Sequence, residues 1–230
     1  MTTTATDDIA NTIRVDIASD VVCPWCIIGY KQLERALDET GLRAEIHWHP
    51  FELNPQMPDE GEDLQQHLAA KYGSTPEDSR KARARLTAMG AELGFTFDYA
   101  NDMIMPNTFR AHQLLHWAGT QGREHDLKMA LFAAFFTNRE NVNDPESLAD
   151  IAAGIGLDRD EALAVLQDAR FADEVRGAEQ FWTSKGIQGV PAMIFNQKYL
   201  VTGAQGTENF VSILRQVAEE VAAGTTATET

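Results

Sequence analysis

The sequence predicts an α/β protein. A strand-helix-strand unit near the N-terminus is separated by a long helical insertion from a strand hairpin and a closing helix. Three observations carry this. Apolar residues alternate with a period of two on either side of a stretch of helical period, so strand, helix and strand follow one another. About 140 residues then lie between His49 and Ala192, nearly all with helical spacing. Beyond them the period of two returns, followed by one more amphipathic stretch.

Taken in order, Ile13, Val15 and Ile17 alternate with Arg14 and Asp16, which predicts a strand. Cys26, Tyr30, Leu33 and Leu37 then share one helical face, and Gly41 supplies the stop. Ala44, Ile46 and Trp48 alternate again. A connector broken by prolines runs from Pro50 to Pro58. The insertion opens with Leu64, Leu68 and Tyr72 at helical spacing, then Thr75-Pro76 as a cap with proline in the first turn, then Ala82, Leu86, Met89 and Leu93. A less regular stretch from Phe95 to Met105 ends at Pro106. Ala111, Leu114, Leu115 and Ala118 mark the next helix, and Leu127, Leu131 and Phe135 the one after it. Asp144-Pro145 opens another, and Asp158 with Glu161 has the form of a capping box. Phe171, Val175, Ala178 and Trp182 form a last stripe ended by Gly186.

The hairpin is predicted from Ala192–Phe195 and Lys198–Thr202 around Asn196-Gln197, a weaker turn than Asn-Gly. Thr207 is the expected cap of the final helix, whose stripe is Phe210, Ile213, Leu214, Val217 and Val221. Residues 12–55 and 188–222 are thus expected to form two parts of one α/β domain. Residues 56–187 form the inserted helical domain, and 1–11 and 223–230 are flexible tails.

Composition narrows the function. The 230 residues, 43% of them hydrophobic, suffice for a substantial core. Nineteen basic against 35 acidic residues give a net charge of −16, which disfavours nucleic acid and anionic membrane surfaces as partners. The first twelve residues have neither a basic start nor an apolar run, and no later stretch reaches spanning length, so a cytoplasmic location is expected. The only two cysteines are Cys23 and Cys26. In a cytoplasmic chain a lone C-x-x-C pair suits catalysis better than stapling, and at a strand-helix junction it reads as a thioredoxin-like redox site.

The chemistry follows from that junction. Cys23 is expected at the cap of the helix begun by Pro24, where unpaired N–H groups and the helix dipole lower a thiol pKa and make it the nucleophile. Cys26, one turn on and on the apolar face, is placed to resolve the mixed disulfide. Trp25 between them either contacts substrate or packs on the helical domain. Asp16 is a candidate for taking the proton from Cys26, against the alternative of an ordinary strand position. No metal is expected. The pairs His112/His116 and His47/His49 are each half a site, and zinc would need further soft ligands.

Four segments, Ser19 to Cys26, Pro50 to Pro55, Asn107 to His112 and Gly189 to Ala192, together resemble the DsbA family and, within it, its cytoplasmic FrnE-like branch. The resemblance extends from Ile13 to Val221. It implies a thioredoxin-like fold with a large helical domain inserted between the βαβ half and the C-terminal ββα half. It also implies thiol-disulfide exchange at Cys23 and Cys26, and a cis bond between Val190 and Pro191 facing the dithiol, where Pro24, Trp25, Val190 and Pro191 shape the substrate groove. The Asn107 to His112 segment is expected over the site, with Asn107 and His112 toward substrate. Phe51 and Asn54 are expected in the same cleft, with Phe109, Trp117, Met103 and Met105 as its apolar wall.

The expected activity is thiol-disulfide exchange with a protein or small-molecule thiol or disulfide, by a monomer or homodimer without a bound cofactor, with glutathione considered only as a co-substrate. Two alternatives stay open. One is a glutathione-dependent isomerase or transferase related to 2-hydroxychromene-2-carboxylate isomerase, a group that usually carries serine where Cys23 stands. The other is a non-catalytic client-binding module.

Overall fold

A computed structural model describes residues 12–226. The stretch 1–11, expected as a tail, lies outside the described residues, as does 227–230. The first strand, β1 (Thr12–Ser19), is followed by α1 (Pro24–Thr40) and β2 (Arg43–Pro50), and β1 and β2 pair in parallel from Thr12↔Arg43 to Ser19↔Pro50. A crossover through a helix is the usual route between parallel neighbours.

The chain returns to this sheet with β5 (Ala192–Phe195), antiparallel to β1, and β6 (Tyr199–Thr202), antiparallel to β5, giving the order β2-β1-β5-β6. The hairpin closes as expected around Asn196 and Gln197. Both have positive φ, 46° and 57°, and Lys198 N–H donates to Phe195 O at 3.0 Å. That is the geometry of a turn matched to strand twist, achieved here without glycine.

One face of the sheet carries Ile13, Val15, Ile17, Met193 and Phe195, all buried, and packs on α1 and α9 (Thr207–Thr226). Phe195 meets Phe210 of α9 with ring centroids 6.3 Å apart. Gly29 lets α1 approach β5. A Cβ there would sit 3.2 Å from Pro191 Cγ and 3.3 Å from Met193 Cε. The other face, with Ala18 and Ala192, is covered by α8 (Ala172–Ser184), whose Trp182 lies 4.4 Å from His49.

Two expectations at the C-terminus need correction. Thr207 is the first residue of α9 rather than its cap, and Gly206 N–H before it donates to Gln32 Oε1 at 2.9 Å. The helix also continues to Thr226, through residues expected to begin a tail, because Ala222 and Ala223 extend it at no propensity cost.

Between the halves lie a ribbon of β3 (Glu62–Asp63) and β4 (Ile104–Met105), α2 (Leu64–Tyr72), α3 (Pro76–Glu92), α4 (Phe109–Gly119), α5 (Glu124–Ala133), a π-helical turn (Ala134–Asn138), α6 (Pro145–Gly154) and α7 (Arg159–Asp168). Thr75 and Asp78 form a complete capping box on α3. Asp158 accepts from Glu161 N–H, but the Glu161 carboxylate turns to Arg170 Nη1 at 2.6 Å, so only half of that expected box exists. The ribbon and the π-helical turn were not legible in the sequence. Two-residue strands carry no periodicity, and the turn breaks the helical one. No helix among the described residues is long and apolar enough to cross a membrane.

Candidate active site

The site is built at the end of β1. After Ser19 the chain turns, with Cys23 N–H donating to Asp20 O at 3.2 Å, and Pro24 starts α1, so Cys23 is the N-cap in extended conformation. Proline suits that first position because its missing N–H would have had no intrahelical partner. Cys26 lies one turn on, fully buried, and its N–H donates to Cys23 O at 3.1 Å. Both cysteines are free thiols. Cys23 Sγ faces the carbonyl of Val190, 3.7 Å away, in the loop that enters β5, and the Val190–Pro191 peptide is cis.

Cys23 forms part of the wall of a pocket of about 370 Å³ between the dithiol and the helical insertion. Pro24, Trp25, Asn54 and Val190 also line it, and Trp25 is exposed at 37% with Arg85 5.8 Å from its ring. The Asn54 side-chain carbonyl is already taken by Lys71 Nζ at 2.5 Å and His67 Nε2 at 3.1 Å. Met105 reaches the pocket, together with Phe135 and Phe136 of the π-helical turn. Pro191 lines a second hollow with Val190 and Thr202.

Several expected members stand elsewhere. Phe51 lines a separate groove with Glu179 and Thr183 of α8, because β2 delivers it to the far side of the sheet. Asn107 is spent on the backbone: its amide donates to Met57 O at 2.8 Å and its carbonyl accepts Phe109 N–H at 2.8 Å. Phe109 packs under the Arg176 guanidinium at 3.6 Å, Trp117 is core, and Met103 faces another hollow. His112 is buried, so it does not reach substrate. Its Nε2 instead lies 3.4 Å from Asp20 Oδ1, beneath the dithiol.

Asp16 is also displaced. The alternation of β1 sends it to the sheet face opposite Val15 and Ile17, where it accepts from Arg14 Nε and Nη2 at 2.8 and 2.7 Å and meets His49 Nε2 at 2.8 Å. The acid beside the dithiol is Asp20, fully buried, with Oδ2 accepting Leu53 N–H at 2.7 Å. Burial would raise its carboxyl, but His112, the Leu53 N–H and Lys128 overcome that and hold it below the usual range. Lys128 of α5 is 1% exposed. Its ammonium donates to Ser19 O at 3.3 Å and lies 5.3 and 5.2 Å from the Trp48 and Phe132 rings. Burial lowers its pKa, and the surrounding charges of Cys26, Asp20 and Glu124 oppose this.

The two thiols differ in their surroundings. The hydrogen bond with Cys26 and then burial raise the Cys23 thiol, and Asp20 adds to the rise. Burial raises Cys26 as well, but the Cys23 S–H, the Ser19 hydroxyl and Lys128 more than compensate, so it is lowered. Cys23 faces a carbonyl oxygen, while Cys26 faces the cation. The two thiols are coupled, and the pair titrates as a unit.

Sequence reasoning missed Asp20 and Lys128. Asp20 was visible as the lone acid in a run of buried residues just before the cap. Lys128 gave no such signal, since a lysine beside an apolar stripe is usually solvated.

The chain matches the DSBA-like thioredoxin domain family over residues 14–215. Among solved structures it is similar to the probable DsbA oxidoreductase SCO1869 of Streptomyces coelicolor, with a TM-score of 0.85, 37% identity, and 90% of this chain and 91% of that one covered. Among curated proteins it is 26% identical over 200 residues to the uncharacterised protein YwbO of Bacillus subtilis, across 86% of this chain and 94% of YwbO. A structure of 2-hydroxychromene-2-carboxylate isomerase shares the fold alone, with a TM-score of 0.67 and 13% identity over 91% of this chain and 98% of that one.

Proposed function

The chain belongs to the DSBA-like thioredoxin domain family, and from that premise we propose that it exchanges its Cys23-Cys26 dithiol with the disulfide of a protein or small-molecule substrate, as a member of the FrnE-like branch acting in the cytoplasm. The observation that supports this is the difference in surroundings of the two sulfurs. Cys23 opens on the pocket, and Cys26 is enclosed beside Lys128 and Asp20.

In the first step Cys23 Sγ attacks a substrate sulfur as its proton passes to the Cys26 thiolate. The substrate S–S bond breaks, and one substrate thiolate leaves. In the second, Cys26 gives its proton to the Asp20 carboxylate and attacks Cys23 Sγ. The mixed disulfide breaks, the second substrate thiolate leaves, and the Cys23-Cys26 disulfide forms. Two electrons pass to the substrate, and a cellular thiol such as glutathione returns them. The Val190 carbonyl beside Cys23 offers an extended substrate a backbone acceptor.

The test is trapping. Cys26→Ala accumulates mixed disulfides on Cys23, read by mass spectrometry, and Cys23→Ala accumulates none. Equal trapping on both variants would remove the assignment of roles. The isomerase alternative predicts substrate turnover by a Cys26→Ala protein with glutathione, and no exchange.

A further inference from the structure

The pocket over the dithiol is lined by Arg83, a half-buried side chain with two enclosed guanidinium nitrogens. Arg83 of α3 lines it, and its Nη1 donates to Ala100 O at 3.1 Å while its Cζ lies 5.7 Å from the Tyr99 ring centroid. The plane of the group is thus fixed. Its Nε and Nη2 are buried and have no hydrogen-bond partner among the described residues. Those two atoms form one edge of the guanidinium, the edge that binds a carboxylate through two parallel hydrogen bonds. A donor edge with no acceptor among the described residues is matched in charge and geometry by the carboxylate of a bound molecule.

Two other charged side chains of the wall already have partners. Asp78, the carboxylate in the pocket wall, accepts from Thr75 N–H at 3.1 Å and Thr75 Oγ1 at 2.6 Å, and Lys71 is held by Leu53 O and Asn54. Much of the remaining wall is apolar, with Leu64, Leu68, Leu86, Met105 and Phe136. Cys23, Arg83 and Tyr99 line the same pocket, so a small molecule within it can meet both the sulfur and the guanidinium. The volume, about 370 Å³, suits one aryl-sized body.

We propose that this pocket is a subsite for a small, apolar thiol or disulfide bearing a carboxylate, which seats on Nε and Nη2 of Arg83 while its sulfur lies at Cys23. The proposal rests on the redox reading above and names the substrate class of the same dithiol. Its probe is dithiobis(nitrobenzoate), an aryl disulfide with a carboxylate on each ring, compared with neutral dithiodipyridine. With either probe, Cys23 bonds to one sulfur as the probe's S–S bond breaks and an aryl thiolate leaves. Cys26 then displaces the second aryl thiolate and closes the protein disulfide. Two electrons go to the probe and two protons to solvent.

Single-turnover rates of the reduced protein are measured with both probes at fixed salt. Arg83→Gln is expected to lower the rate with the anionic probe about tenfold and to leave the neutral probe within about twofold. Arg83→Lys should recover part of the loss. Arg80→Gln, the same charge change on the exposed side of α3, should move neither rate by more than about twofold. An equal fall with both probes, no fall with either, or the same selectivity loss in Arg80→Gln would overturn the subsite while leaving the redox reading in place. A wild-type protein that reduces neither probe would overturn both.

Discussion

Asp16 and Asp20 stand four residues apart, one within β1 and one just past its end, both almost fully buried, yet they occupy opposite kinds of site. Asp16 is saturated: Arg14 approaches it with two N–H groups and His49 with a third. Asp20 has one oxygen committed to Leu53 N–H and the other without a hydrogen bond, 3.4 Å from His112, with the dithiol and Lys128 around it. An acid whose acceptor positions are filled holds structure together. An acid with an open oxygen next to a group that must lose a proton is available to take it.

The comparison breaks most visibly at Asp20. Asp20→Asn keeps the shape and removes the proton acceptor, so the step that resolves the mixed disulfide should slow about 100-fold. Rapid-quench trapping of the intermediate measures it, and a rate within about twofold of wild type would end the assignment. Lys128→Met should follow with about a tenfold effect. Without the cation the first thiolate of the pair forms at higher pH, read from thiolate ultraviolet absorbance against pH. Stability should change little, because a buried ammonium replaced by an apolar chain of similar length loses its desolvation penalty together with its attractions. An unchanged thiolate titration would show that Lys128 does not hold the charge.

Asp16→Asn should leave exchange within about twofold and instead cost about 1–3 kcal/mol of stability, toward the low end because Arg14 is 41% exposed. Burial raises the Asp16 carboxyl, but Arg14 and His49 outweigh it and hold it below its ordinary value. Its contribution is therefore present above about pH 4 and lost as pH falls through the folded value, so wild type and variant should converge in acid denaturation. A rate loss as large as that of Asp20→Asn would erase the contrast.

The smallest effect belongs to Glu124, on the other side of Lys128, whose carboxyl burial pushes up to about 7. A raised carboxyl contributes stability that is complete below about pH 4 and lost as pH rises through about 7. Glu124→Gln should accordingly gain about 1–2 kcal/mol relative to wild type between pH 5 and pH 8, measured by urea unfolding. A constant difference across that range would show that Lys128 keeps Glu124 ionised throughout.

Much of the frame was legible because it depends on local chemistry. The alternation of Ile13, Val15 and Ile17, the change of period at Cys26 and the caps at Thr75, Asp144 and Asp158 each act within a few residues, and each element forms where they stand. The π-helical turn at Phe135 and Phe136 was not legible, since it appears when side chains of α5 and the Phe95 to Tyr99 segment pack together; Asp98 N–H donates to Phe136 O at 2.8 Å. His112 and Asn107 were read as substrate contacts because their segment comes over the site, but which way each side chain turns depends on Asp20 and Met57, 92 and 50 positions away.

The sequence by itself determined the fold class, the dithiol and its place at a helix cap, because period, proline position and the scarcity of cysteine are properties of neighbouring residues. Only the tertiary structure decided which acid lies beside the dithiol, what surrounds each sulfur, and that Arg83 opens on the same pocket as Cys23. Those outcomes are electrostatic. They depend on distances between groups as far apart in sequence as Ser19 and Lys128, and on how much water is excluded around them, and neither quantity exists until the insertion has packed against the sheet.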